Sequence, residues 1–280
     1  AMGAGRDVAV LAALIFALHP VHVEAVVWIA ARNDLLMSLG VLGCLLAHQH
    51  PKMPGLRGAA WSVLALGAQV FALLSKELAV VLPPLLILSD ILPRLGAGRA
   101  TSRLPWRRAL VRSLPFWVVT ALFVAYRLPV LSQLAEQNLR AGGLLHRLPG
   151  ALEILARYSL LVVAPIHMQP IYDLPRPSSI LAPWPALGLL VLACLAILVI
   201  HWWRRAPLAA YGVAWFLITV ALVVDLVPPF LRDMAMADRY LYLPSVGFSL
   251  LLAWGLSGLM SPAARRGGAL RKIAGWGILI

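Results

Sequence analysis

His19, His22 and Glu24 stand within two helical turns of one another, and Arg32, Asn33 and Asp34 follow just ahead of a long apolar run. Imidazoles and carboxylates this close can pass a proton, and an arginine beside them can hold an anion. A plainer use is also open: Asn33 or Asp34 capping the following helix, with Arg32 resting at a lipid interface. The spacing is neither HxxxH nor HExxH, so no metal site is assigned; a divalent cation is the one cofactor the carboxylates leave open. A second cluster, Ser75-Lys76-Glu77, is wedged between two apolar runs. Lys76 can hold a phosphate as a point charge, with Glu77 orienting it, or it can snorkel to an interface paired with its neighbour. The third cluster holds Asp238, Arg239, Tyr240 and Tyr242. Arg239 at a helix mouth can grip a diphosphate or lipid phosphate; the alternative is an Asp238–Arg239 pair in an aromatic belt. His146, His167 and Asp173 read as loop residues.

The elements that must position these groups are apolar helices. The chain is 61% hydrophobic and 12% charged, with a mean hydropathy of +0.87, far from an average soluble domain. A bilayer core takes roughly 20 helical residues to cross. Candidate spans are 8–18, 35–47, 59–74, 78–92, 109–126, 187–200, 208–227 and 241–260, with a ninth beginning at Ile273. Membrane β-strands would alternate in polarity, and these runs do not. The expected fold is an all-α, polytopic transmembrane helix bundle of about eight full spans. Pro83-Pro84 is expected to break its span inside a protein-lined interior. Cys44 and Cys194 fall within spans, so no disulfide framework is implied.

Charge assigns the sides. One set of loops holds Arg6, Lys52, Arg57, Arg94, Arg99, Arg103, Arg107, Arg108, Arg112, Arg204, Arg205, Arg265, Arg266, Arg271 and Lys272, fifteen bases against Asp7 and Asp90. This face is expected to be cytoplasmic. The remaining nine bases lie opposite, balanced by nine acids, so the formal +13 is a cytoplasmic excess. Such bases are topology anchors beside anionic headgroups, which argues against a nucleic-acid partner. The apolar stretch 150–166 breaks the pattern if counted as a span. It carries Glu153 and Arg157 on one helical face and reads as an interfacial or re-entrant helix ended by Pro165, within an extracytoplasmic excursion over 127–185. The first apolar run leads straight into the histidine turn, so no cleavable leader is read there.

Walker A, GxSxG, Rossmann and CxxC motifs are all absent from the sequence, which leaves ATP coupling unsupported. What the chain does carry, in order, is ALHPVHVEAVVWIAARNDLL, LLSKELAVVLPPLLILSD, YSLLVVAPIHMQPIYDLP and ADRYLYLPSVGFSLLLAWGL. In this combination it resembles the membrane domain of the transmembrane and tetratricopeptide-repeat O-mannosyltransferases and their bacterial relatives, multi-spanning glycosyltransferases of the GT-C fold. The resemblance covers nearly the whole chain.

It implies a single GT-C-like domain over 1–280 that transfers a sugar, typically mannose, from a polyprenyl- or dolichyl-phosphate carrier to a protein Ser/Thr or glycan acceptor outside the cytoplasm. The matching blocks point to His19, His22, Arg32, Lys76, Glu77, Arg239 and Tyr242 for the carrier phosphate, and to Glu24 and Asp34 as catalytic residues, one or the other ordering the acceptor or the sugar. The family's first span and its acidic loop, with the proposed catalytic carboxylate, are expected to precede Ala1, and its helical repeats to follow the membrane domain. The Arg- and Ala-rich composition points to a bacterial inner membrane, or to the endoplasmic reticulum in a eukaryote. Two competing readings use the same residues: a lipid or solute transporter, and a non-catalytic membrane scaffold derived from the enzyme. Alternating access would want ionisable groups near the midplane; here they gather at the helix ends.

Overall fold

The computed structural model describes residues 5–50, 55–96, 106–140, 143–174, 177, 179–224 and 236–260. Among them every regular element is helical and no strand occurs. The α-helices are α1 (Arg6–Leu18), α2 (Val23–Val27), α3 (Arg32–Gln49), α4 (Leu56–Ser75), α5 (Leu82–Gly96), α6 (Trp106–Arg140), α7 (Gly143–Val163), α8 (Pro183–Arg205), α9 (Pro207–Val220) and α10 (Ser245–Met260). Short 3-10 turns join them at Pro20–His22, Ile29–Ala31, Glu77–Val81 and Asp238–Leu241.

Four stretches are long and apolar enough to cross a bilayer: Ile29–Gln49, Leu56–Ser75, Trp106–Pro129 and Pro183–Arg205. A fifth exists if α1 and Pro20–Val27, which meet at 54°, act as one broken span. The expected eight spans are therefore not reached among the described residues, for local reasons. In 78–92, the Glu77–Val81 segment winds as a 3-10 turn and α5 keeps only 15 residues. Pro83 and Pro84 do not break a span. They sit in the first turn of α5, where a missing N–H leaves no helical bond unmade. In 208–227, α9 stops at Val220 after 14 residues. In 241–260, the turn at Asp238–Leu241 and the bend before Ser245 shorten α10 to 16 residues. The expected start at 273 lies outside the described residues.

The segment after the 109–126 run opens as helix. α6 continues through Pro129 to Arg140, 35 residues in all, or roughly 50 Å of helix. The 150–166 stretch belongs to α7, which ends two residues before Pro165. Its expected pair forms: Arg157 Nη2 lies 2.7 Å from Glu153 Oε1, and the guanidinium also stacks 4.1 Å over Trp184 of α8. His146 lies on α7 rather than in a loop, whereas His167 and Asp173 are exposed in the irregular segment after it.

Helices pair where small residues let backbones touch, the usual solution when lipid offers no hydrophobic drive. α3 packs on α4, α7 on α8, α9 on α10, and α1 on α10. A methyl group on Gly188 of α8 would sit 1.9 Å from the Leu152 carbonyl oxygen of α7. Gly212 of α9 and Gly247 of α10 face each other in the same way, with contacts of 2.6 and 2.4 Å. Buried side chains then fix the segment before α10. Trp215 Nε1 donates to the Leu243 carbonyl at 2.9 Å, and the Tyr158 hydroxyl donates to the Ala237 carbonyl at 3.1 Å. These bonds carry Asp238–Leu241 to the end of the bundle where α1 finishes and α3 begins.

Candidate functional site

Three helix breaks meet at this end. Pro20 cannot continue α1, and the chain turns there. His19 Nδ1 accepts the Val21 N–H at 3.2 Å, while its Nε2 lies 2.9 Å from the Val162 carbonyl of α7. A carbonyl only accepts, so these two partners assign the Nε2–H tautomer. His22 is buried with Nε2 2.7 Å from Ser245 Oγ; that hydroxyl donates onward to the Tyr242 carbonyl at 2.8 Å. Its ring packs against Phe16 and Tyr242, at 4.3 and 4.8 Å between centroids. Both imidazoles thus tie the end of α1 to α7 and α10.

Beside them lie two ion pairs built from residues far apart in sequence. Glu24 holds Arg239 twice, through Oε1 to the guanidinium and through Oε2 to the Arg239 backbone N–H at 2.8 Å. Asp34 Oδ1 receives Lys76 Nζ. Both cations lie over the ring of Tyr240, with Lys76 Nζ 5.0 Å and Arg239 Cζ 4.7 Å from its centroid. The two cations are therefore no more than about 10 Å apart. Arg239 also stacks 4.8 Å over Trp28, donates to the Tyr240 hydroxyl at 3.2 Å and reaches the Pro170 carbonyl at 3.3 Å. Burial is the largest influence and works against the Arg239 charge, but the hydrogen bond to Glu24, the Tyr240 hydroxyl and the Glu24 charge together outweigh it and hold the group above its ordinary range. Asp34 is 2% exposed, and its second oxygen, Oδ2, is buried with no hydrogen-bond partner. That oxygen is an acceptor waiting for a donor.

Asp238 closes the other flank. It accepts the Tyr172 hydroxyl at 2.7 Å. Burial, with the Glu24 carboxylate nearby, pushes its pKa up to about 6 against the lowering effect of that bond. The Tyr172 phenol is raised above its ordinary range by burial and by Asp238.

Of the residues expected from sequence, Glu24, Asp34, Lys76 and Arg239 come together directly. His19, His22 and Tyr242 form the adjoining imidazole–aromatic cluster. Glu77 turns away from Lys76 toward Arg127, at 3.7 Å across a partly exposed gap. Arg32 stands exposed in an open groove of about 720 Å³ that it lines with Val27, Trp28, Ile29, Ala30 and Asn33. The plainer local pairings do not form. Arg239 bonds Glu24 rather than Asp238, Lys76 bonds Asp34 rather than Glu77, and α3 follows an N-cap, Ala31, that makes no side-chain capping bond. No three His, Cys, Asp or Glu residues among those described converge to hold a metal ion. Glu24 and Asp34 each serve a cationic side chain instead, so the divalent cation left open by the sequence finds no ligand set here. Sequence reading undervalued Tyr240 and omitted Trp28 and Tyr172. Tyr240 was signalled only by its adjacency to Arg239, and Trp28 by a lone indole in an apolar turn.

Comparison with known proteins gives one informative similarity. The chain is 24% identical over 247 residues to a protein O-mannosyl-transferase of Caenorhabditis elegans, an alignment that includes 88% of this chain. The chain spans about a third of that relative's length, 34%. No family model matches the chain, and no solved structure does. The similarity supports a distant relation to the O-mannosyl-transferases, and the four candidate spans give the chain a membrane character.

Proposed function

We propose that this chain is the carrier-binding membrane portion of a glycosyltransferase that moves a hexose, mannose in the first instance, from a polyprenyl- or dolichyl-phosphate to a protein Ser/Thr or glycan hydroxyl outside the cytoplasm. The observation that carries this reading is the juxtaposition of Arg239 and Lys76 at one aromatic ring, each backed by its own carboxylate. Two cations at that spacing suit the oxygens of a lipid phosphate, and the Arg239 guanidinium supplies forked, charge-assisted bonds. In the transfer, the acceptor oxygen attacks the anomeric carbon and the bond from that carbon to the phosphate oxygen breaks. The acceptor proton passes to a carboxylate, and the lipid phosphate leaves with its charge on the two cations. Asp34 Oδ2 is the oxygen we assign to an acceptor or sugar hydroxyl, since it is the one without a partner. Glu24, bound at both oxygens, acts as a positioning group for Arg239.

One observation favours the non-catalytic scaffold instead: both cations are already neutralised by carboxylates. The two readings part in a direct assay. In the intact protein, Lys76→Ala and Arg239→Ala should each impair transfer from a radiolabelled lipid-phosphate sugar while folded protein is retained. Wild-type rates in both variants would remove the phosphate assignment, and an intact wild-type protein with no transfer at all would favour the scaffold.

A further inference from the structure

Away from this site, a second groove lies at the end of the bundle where α6 begins and α8 finishes. It encloses about 610 Å³ and is lined by Val199, Ile200, His201, Trp203, Arg204 and Arg205. Trp203 stacks nearly parallel to Trp106, the first residue of α6, with centroids 6.4 Å apart and planes 12° apart. That contact joins the start of α6, which carries exposed Arg107 and Arg108, to the end of α8, which carries exposed Arg204 and Arg205. None of these four arginines pairs with a carboxylate among the described residues. Asp90, the acid of neighbouring α5, is taken by Arg112 at 2.7 Å and His48 at 3.1 Å. Arg205 Nη1 lies 3.0 Å from Nε2 of the His201 ring.

The arrangement is electrostatically unfinished. Arg204 and Arg205 suit the negative C-terminus of α8, but Arg107 and Arg108 occupy the positive N-terminal turn of α6, which carries no acid. Topology-setting bases need only lie in the right leaflet. Here Arg204 and Arg205 line a groove whose other walls are two aliphatic side chains, an imidazole and an indole. A basic recess at the end of an apolar helix is the shape that receives an anionic lipid headgroup with its chains alongside. We propose that this groove binds one anionic glycerophospholipid, its phosphate on Arg204 and Arg205 and its chains along Val199, Ile200 and Trp203. The lipid would cover the end of α8, whose window is only 11% buried by protein.

The test uses intact protein stripped of lipid in a neutral detergent and titrated with phosphatidylglycerol or phosphatidylcholine, bound lipid being counted by native mass spectrometry. Phosphatidylglycerol should bind in preference. Arg204→Gln should weaken it about five-fold, and Arg204→Gln/Arg205→Gln about twenty-five-fold, following the usual attraction of one basic side chain to an anionic leaflet. The control Arg6→Gln/Arg57→Gln removes two exposed bases away from the groove and should leave binding unchanged. Equal binding of the two headgroups would overturn the proposal, as would equal weakening by the control. Displacement of the lipid by excess inorganic phosphate would do so too, by exposing a free-anion site with no need of chains.

Discussion

The pair between Glu24 and Arg239 can be dismantled so that folding and phosphate binding are read separately. Both side chains are about nine-tenths buried, at 9% and 10% exposure. Removing one partner of such a pair strands the other charge and costs about 3–5 kcal/mol. Arg239→Gln also forfeits two cation–π contacts, over Trp28 and Tyr240, worth about 0.5–2 kcal/mol each. It therefore belongs at the upper end, near 5 kcal/mol. Glu24→Gln keeps an oxygen for the Arg239 N–H now bonded at 2.8 Å, and it belongs near 3 kcal/mol. The double variant strands no charge, so it should be more stable than Arg239→Gln alone by about 2 kcal/mol.

Thermal unfolding of the intact protein in detergent measures these costs, and transfer from a radiolabelled lipid-phosphate sugar measures function on the same samples. A charge-assisted hydrogen bond to a phosphate is worth about 1.5–3 kcal/mol, so the folded double variant should transfer roughly ten- to hundred-fold more slowly. Wild-type turnover in that variant would refute the phosphate role of Arg239 outright. Single variants within about 0.5 kcal/mol of wild type would refute the claim that the pair holds the site together.

Three further outcomes follow from the same geometry. Tyr240→Leu removes the ring beneath both cations and should raise the donor KM more than it lowers kcat; an unchanged KM would show that the ring does not set the cation spacing. Asp238 is pushed up to about 6, above its ordinary 3.8, so the folded protein keeps a proton that the unfolded chain releases. Stability should fall as pH rises through this window, by up to about 3 kcal/mol. Asp238→Asn, which can still accept from Tyr172, should be more stable than wild type above pH 6 and alike near pH 4; thermal midpoints across that range decide it. Gly188→Ala would press a methyl to 1.9 Å from the Leu152 carbonyl, whereas Gly67→Ala meets nothing within 4 Å. The first should cost about 3 kcal/mol and the second nothing measurable by thermal unfolding.

The helical class and the three polar clusters were legible in the sequence because both are local properties: apolar run length, and charged residues at its ends. Span number was not, since hydropathy does not register where a 3-10 turn consumes the first residues of a run, as Glu77–Val81 does ahead of α5. Pairing was misread for a related reason. Reading along the chain couples Asp238 to Arg239 and Lys76 to Glu77, yet neighbours on a helical turn point about 100° apart. The turn at Asp238–Leu241 sends Asp238 to Tyr172 and Arg239 to Glu24, and the break at Lys76 sends its amine to Asp34. Glu24 lies on α2, Asp34 on α3, Lys76 just after α4, Tyr172 after α7 and Arg239 ahead of α10, so the site exists only once these segments are docked. A lesion in packing far from the charges, such as one at the Gly212–Gly247 contact, should therefore cost transfer activity by separating the segments that present Arg239 and Glu24.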